Sequence, residues 1–172
     1  MTDEDRAAAV AAVKALVRST SAAEDALIAT LVCEAMDLAE RFTGQVLIAR
    51  DVTERIGADG RWRRLTTTPV LRIDGVRDAA GVAMPVGQWA VDIDGNGDGW
   101  VRVTGAPRVV AVSMRAGLAP DWATLPGGIA GGIVRMAAYR FDARDTGEVP
   151  PAAVAALWRP WRRMRLSEGM RA

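Results

Sequence analysis

Between residues 46 and 115 the apolar residues of this chain change rhythm, and that change limits the fold more than any other feature. Val52-Thr53-Glu54-Arg55-Ile56 alternates, Pro69-Val70-Leu71-Arg72-Ile73 and Gly75-Val76-Arg77 form a strand and turn, and Val109–Arg115 is the clearest strand. Val46-Leu47-Ile48-Ala49 starts the run, Trp62 and Leu65 follow the turn signal Ala58-Asp59-Gly60, and Trp89–Ile93 and Trp100–Val103 flank a tight polar turn. A period of two turns one side of each strand inward. No helical pattern separates these runs, so the expected arrangement is an antiparallel sheet or a small barrel.

Both ends of the chain read as helix. Residues 3–18 begin after Thr2 or Asp3, either of which can act as cap, and Asp3, Glu4 and Asp5 complement the helix dipole. A second helix is expected over 21–43, with Ser21-Ala22-Ala23-Glu24 as a capping box and Gly44 as the stop. Its apolar residues Leu27, Ile28, Leu31, Ala35, Leu38 and Phe42 recur at helical spacing, with Glu34, Asp37, Glu40 and Arg41 on the other side. A third helix, 127–143, follows Pro126 and carries Ile129, Ile133, Met136, Ala137 and Phe141. Gly127, Gly128, Gly131 and Gly132 each cost that helix about 1 kcal/mol relative to Ala. Either backbones approach closely there, with the Gly127/Gly131 face as the packing surface, or the helix begins later. Gly147–Pro151 reads as a linker and Ala152–Trp158 as a short helix. The fold class is therefore α+β: an N-terminal helix pair, a β-rich antiparallel insertion, then a long helix, a short helix and an extended tail.

The composition removes most common chemistry. The chain of 172 residues has no histidine, so the usual general base and the commonest metal ligand are missing. Its single lysine, Lys14, follows Val13 and cannot belong to a phosphate-binding GxxxxGK loop. Of the four serines only Ser113 lies in a strand-like region, and Val112 and Met114 beside it are incompatible with a nucleophile elbow. Cys33 is the only cysteine, sits among Leu31, Val32 and Met36, and reads as a small buried hydrophobe. No stretch reads as a signal peptide or membrane span. Asp92-Ile93-Asp94-Gly95-Asn96-Gly97-Asp98 matches the first half of a calcium loop, but the twelfth position is Val103 where a bidentate glutamate belongs. Asn-Gly and Asp-Gly are also hairpin-turn signals, so a plain turn is expected, with no metal and no cofactor.

The tail is the sharpest local feature. Leu157-Trp158-Arg159-Pro160-Trp161-Arg162-Arg163-Met164-Arg165-Leu166 packs two tryptophans and four arginines into ten residues. Trp and Arg are enriched at interface hot spots, and Pro160 interrupts any continuous helix. From Ala152 to the end there are five arginines against one glutamate, while the whole chain is only +1. Trp158, Arg159, Trp161, Arg162, Arg163 and Arg165 are thus the candidate binding residues. The alternative is that both tryptophans fold back on the subunit's own core, since Trp is usually well buried. Arg61-Trp62-Arg63-Arg64 offers a second basic cluster and, with the tail, an alternative reading as a nucleic-acid-binding module. A near-neutral total charge weakens that reading.

In order and spacing these pieces resemble the head–tail connector (adaptor) family of long-tailed phages, which also occurs in prophages and gene transfer agents. Glu24–Ile28 opens the long helix that ends in Arg41-Phe42-Thr43-Gly44, and Leu47-Ile48 begins the β-rich middle. Arg115-Ala116-Gly117-Leu118 follows the last strand, Asp121-Trp122-Ala123-Thr124-Leu125-Pro126 precedes the third helix, and Ala138–Asp145 ends it. Val149-Pro150 and Ala156–Leu166 close the match. The glycine pairs depart from the polar residues usual at that helix start. The resemblance implies a single adaptor domain over 1–157, a tail over 158–172, and a structural protein with no enzymatic activity. It implies a ring, twelvefold like the portal, that extends the DNA channel without sequence-specific DNA binding and receives the stopper or tail-completion protein. It also implies a place at the head–tail junction of a virion or phage-like particle, assembled in the bacterial cytoplasm without membrane contact, with the tail segment reaching the portal.

Overall fold

The computed structural model describes residues 1–105, 108–143 and 151–163. The chain folds as two compact units: a β-rich unit over Val46–Leu125, and a helical unit built from Thr2–Gln45 together with the chain from Pro126 onward. The expected single adaptor domain over 1–157 spans both of these units. Trp158, the first residue of the expected tail, is the last residue of a helix. Arg165 and residues 147–150 of the expected linker lie outside the described residues.

In the helical unit, α1 spans Asp3–Val17 and α2 spans Asp25–Thr43. Thr2 caps α1: its hydroxyl accepts from the Asp5 amide at 3.1 Å, and the Asp5 carboxylate accepts from the Thr2 amide at 3.0 Å. This reciprocal pair satisfies two amide donors at the helix start, one of them orphaned there. The box expected at Ser21 is only half built. The Ser21 hydroxyl accepts from the Ala23 amide at 3.2 Å and starts a 3-10 turn, Ala22–Glu24, that precedes α2. Lys14, the single lysine, ties the two helices by pairing with Asp25 and donating to the Ser21 carbonyl at 2.9 Å. The buried stripe of α2 runs through Ile28, Val32, Ala35, Met36 and Ala39, while Leu27 is exposed. The third helix, α3, spans Gly127–Ala143 and begins directly after Pro126, and α4 spans Ala152–Trp158. Ile129, Ile133, Met136, Ala137 and Ala138 form the buried side of α3. No helix among the described residues is long and apolar enough to cross a membrane.

The β-rich unit contains six strands: β1 Arg50–Gly57, β2 Trp62–Arg64, β3 Val70–Arg77, β4 Trp89–Ile93, β5 Gly99–Val103 and β6 Val109–Ala116. They form two antiparallel three-stranded sheets, ordered β1-β6-β3 and β2-β5-β4. This differs from one sheet or a closed barrel. The chain crosses between the sheets repeatedly, and alternation specifies which side of a strand is buried but not its neighbour. Val110, Val112 and Met114 of β6 meet Val101 and Val103 of β5 in one core with Leu65, Val70 and Val76. Val46–Ala49 forms no strand. It makes a single parallel bridge, Ile48 to Ala119, with the Leu118 amide donating to the Val46 carbonyl at 2.9 Å.

The aspartate-rich segment is the β4–β5 hairpin turn. Asp94 Oδ1 accepts from the amides of Asn96 at 2.8 Å and Asp98 at 3.0 Å. Asp98 is buried, pairs with Arg64 and accepts from the Thr68 hydroxyl at 3.0 Å. Gly97 has a φ of 77°, and a Cβ there would lie 2.8 Å from Pro69 Cβ, so only glycine fits. Two of the three carboxylates already have protein partners, and no metal-type cluster occurs among the described residues. Titration calorimetry with calcium is accordingly expected to show nothing tighter than about millimolar affinity, and chelator should leave the melting temperature unchanged. Micromolar affinity would restore the metal reading.

Candidate functional site

The tail begins at the C-terminal end of α2. Helix ends leave carbonyls without intrahelical partners and carry partial negative charge. Here the Thr43 carbonyl accepts from the Arg163 amide at 2.8 Å, and the Gln45 side-chain amide donates to the Trp161 carbonyl. The Arg162 guanidinium lies over the Phe42 ring, 5.7 Å from its centre. After α4 the chain makes a 3-10 turn, Arg159–Trp161, that accommodates Pro160. The base of the tail is therefore latched to the end of α2 by one backbone bond as well as by side chains.

Trp158 lies on the inside of this latch. It is fully buried, with its ring 5.8 Å from Phe42 at a tilted angle. Its indole Nε1 donates to the Ile129 carbonyl at 3.3 Å. In this chain Trp158 fills the subunit's own core, the arrangement given above as the alternative to an anchor offered to a partner. Trp161 is half-buried, Arg159 and Arg162 are exposed, and Arg163 is half-buried. The structure thus gathers five of the six candidate residues at one place and turns one of them inward.

The glycines of α3 explain the room for Trp158. A Cβ on Gly132 would stand 2.8 Å from Trp158 Cδ1, and one on Gly128 would stand 3.3 Å from the Leu157 carbonyl oxygen. Close approach is the correct reading, but it runs along Gly128/Gly132. A Cβ on Gly127 meets nothing within 4 Å, and one on Gly131 meets only the end of Arg135 at 3.8 Å. Sequence reasoning missed Gly128, Gly132 and Thr43. The four-residue spacing of both glycine pairs was visible, but only the position of α4 distinguishes one pair from the other.

The second basic cluster is largely engaged within the β-rich unit. Arg63 pairs with Asp59, with Nε donating to Oδ1 at 3.3 Å. That guanidinium, helped by the Arg61 amide, holds the Asp59 carboxyl below its usual range. Arg64 is committed to Asp98, and Arg102 stacks over the Trp62 ring at 5.2 Å. Two of the cluster's three arginines, Arg63 and Arg64, are thus already paired with carboxylates of the same unit.

With two units of this make-up, the chain has the fold of a neck protein of a phage-like particle. It is similar to a chain in the neck of an empty gene transfer agent particle computed with C6 symmetry: 27% identity, 93% of this chain and 91% of that one, TM-score 0.74. A chain in the virion of a native gene transfer agent particle is similar at 26% identity over the same shares, with a TM-score of 0.73. A chain in the neck of a native particle computed with C12 symmetry shares 27% identity over 91% of both chains, with a TM-score of 0.69. No family model matches the chain, and no curated protein is similar to it in sequence. The resemblance to head–tail connectors drawn from the order of the motifs agrees with these structures, which are all parts of such particles.

Proposed function

We propose that this chain is a structural, non-enzymatic head–tail adaptor. It forms a ring, twelvefold, between the capsid portal and the stopper or tail-completion protein, and extends the channel through which DNA passes. Its place is the head–tail junction of a virion or phage-like particle assembled in the bacterial cytoplasm. The observation that carries this reading is similarity over nearly the whole length of both chains to components of gene transfer agent necks. The C6 and C12 symmetries of those necks support a cyclic arrangement and favour twelve copies.

Within this reading the tail meets the portal. Arg159 and Arg162, both exposed, present charge beside a latched backbone, and Trp161 and Arg163 adjoin them. Arg165, outside the described residues, belongs to the proposed contact by its sequence position. Guanidinium groups suit acidic groups on a partner because they bond carboxylates in pairs. Trp158 contributes indirectly, by holding the tail base in place.

The test is a double charge reversal, Arg159→Glu with Arg162→Glu. Both side chains are exposed, so stability is expected to change by no more than about 1 kcal/mol. Capture of the protein by portal rings should fall at least tenfold, since each repelled contact costs on the order of 1–3 kcal/mol. Undiminished portal capture by the folded variant would remove the tail from the interface. A ring count from symmetric averaging of the assembled neck tests the stoichiometry separately.

A further inference from the structure

The β3–β4 loop carries an exposed apolar knob. Val86 is 95% exposed and Val82 is 63% exposed. Val86 occupies the second position of a turn closed by the Gln88 amide donating to the Pro85 carbonyl at 3.1 Å. The loop is held from several sides. Asp78 Oδ1 accepts from the amides of Ala80 at 2.9 Å and Val82 at 2.8 Å, and Trp89 Nε1 donates to the Met84 carbonyl at 3.3 Å. The Thr104 amide donates to the Gln88 carbonyl at 2.8 Å. A loop ordered in this way presents Val86 with little conformational entropy left to lose on binding. From Ala79 to Val91 there is no charged residue, in a chain that is 25% charged.

The helical unit carries a shallow depression. A cleft of about 650 Å³ runs between α1 and α2, floored by Ala7, Val10, Ala11, Ala26 and Ala29. Its rim charges neutralise one another, Arg6 with Asp3 and Lys14 with Asp25. The small side chains leave room for an apolar group, and the pairing of the rim charges leaves the rim without net charge. Charge-depleted cores are characteristic of protein interfaces. A cyclic ring needs two different, complementary surfaces on each copy, one meeting the other on the next subunit.

We propose that the Val86 knob of one copy seats in the α1–α2 cleft of a neighbouring copy. The inference rests on the ring reading above and specifies the surfaces that close it. The test pairs Val86→Cys with Ala7→Cys, Ala11→Cys or Ala26→Cys in a Cys33→Ala chain incorporated into particles. Mild oxidation is expected to give a ladder of covalent multimers of this chain from at least one pairing, at least tenfold above the single-cysteine controls. Val86→Asp should fold normally, being at an exposed turn, and weaken self-association at least tenfold through loss of the buried Val. No ladder from any pairing in particles that retain the ring, capture of Val86→Cys by a different particle protein, or unchanged self-association of Val86→Asp overturns the contact and leaves the ring reading standing. Particles in which the wild-type chain forms no ring overturn both.

Discussion

Trp158→Ala is expected to destabilise the helical unit by about 3–5 kcal/mol, the range for emptying a core aromatic site. The indole is fully buried, its Nε1 bonds the Ile129 carbonyl, and its ring packs on Phe42. Removing it leaves a void against α3, with Val154 as the one other buried side chain of the seven-residue α4. Denaturant unfolding followed by the far-ultraviolet signal of the helices measures the effect. A loss below about 1 kcal/mol would mean that Trp158 is peripheral and that the tail is free to offer it elsewhere. Portal capture by this variant should also weaken, because the latch at Thr43 and Arg163 depends on α4 being in place.

A pair of variants in α3 should move stability in opposite directions. Gly132→Ala puts a methyl group 2.8 Å from Trp158 Cδ1, closer than packed carbons tolerate, and neither the buried ring nor the helix can easily retreat. A loss of about 1–3 kcal/mol is expected, as for other overpacked sites. Gly131→Ala meets only the flexible end of Arg135 and gains the helix propensity of alanine, about 0.5–1 kcal/mol. Thermal or denaturant unfolding of the two proteins side by side reads the difference. Equal shifts of the same sign would show that α4 does not pack on the Gly128/Gly132 side.

The asymmetry between these neighbouring glycines shows where sequence reading stops. Four glycines in a helix signal close approach, but which pair is approached depends on where α4 returns. In the same way, the Trp-Arg cluster could be read as a docking segment or as core, because both uses favour the same residue types. Tertiary structure divides the cluster: Trp158 goes inward, and Arg159 and Arg162 stay exposed.

The amino-acid sequence by itself determined the types of the long elements, the helix limits near Thr2 and Gly44, the hairpin turn at Asp94–Asp98 and the order of motifs shared with connectors. These follow from local chemistry: period, capping side chains, and residues suited to one backbone conformation. Strand partners, the split into two sheets and the separation into two units were decided only by the tertiary structure. So were the half-built box at Ser21, the bridge at Ile48 that replaces an expected strand, and the inward turn of Trp158. Each depends on which distant surface covers an apolar face, and a one-dimensional pattern shows that a face must be covered without showing by what.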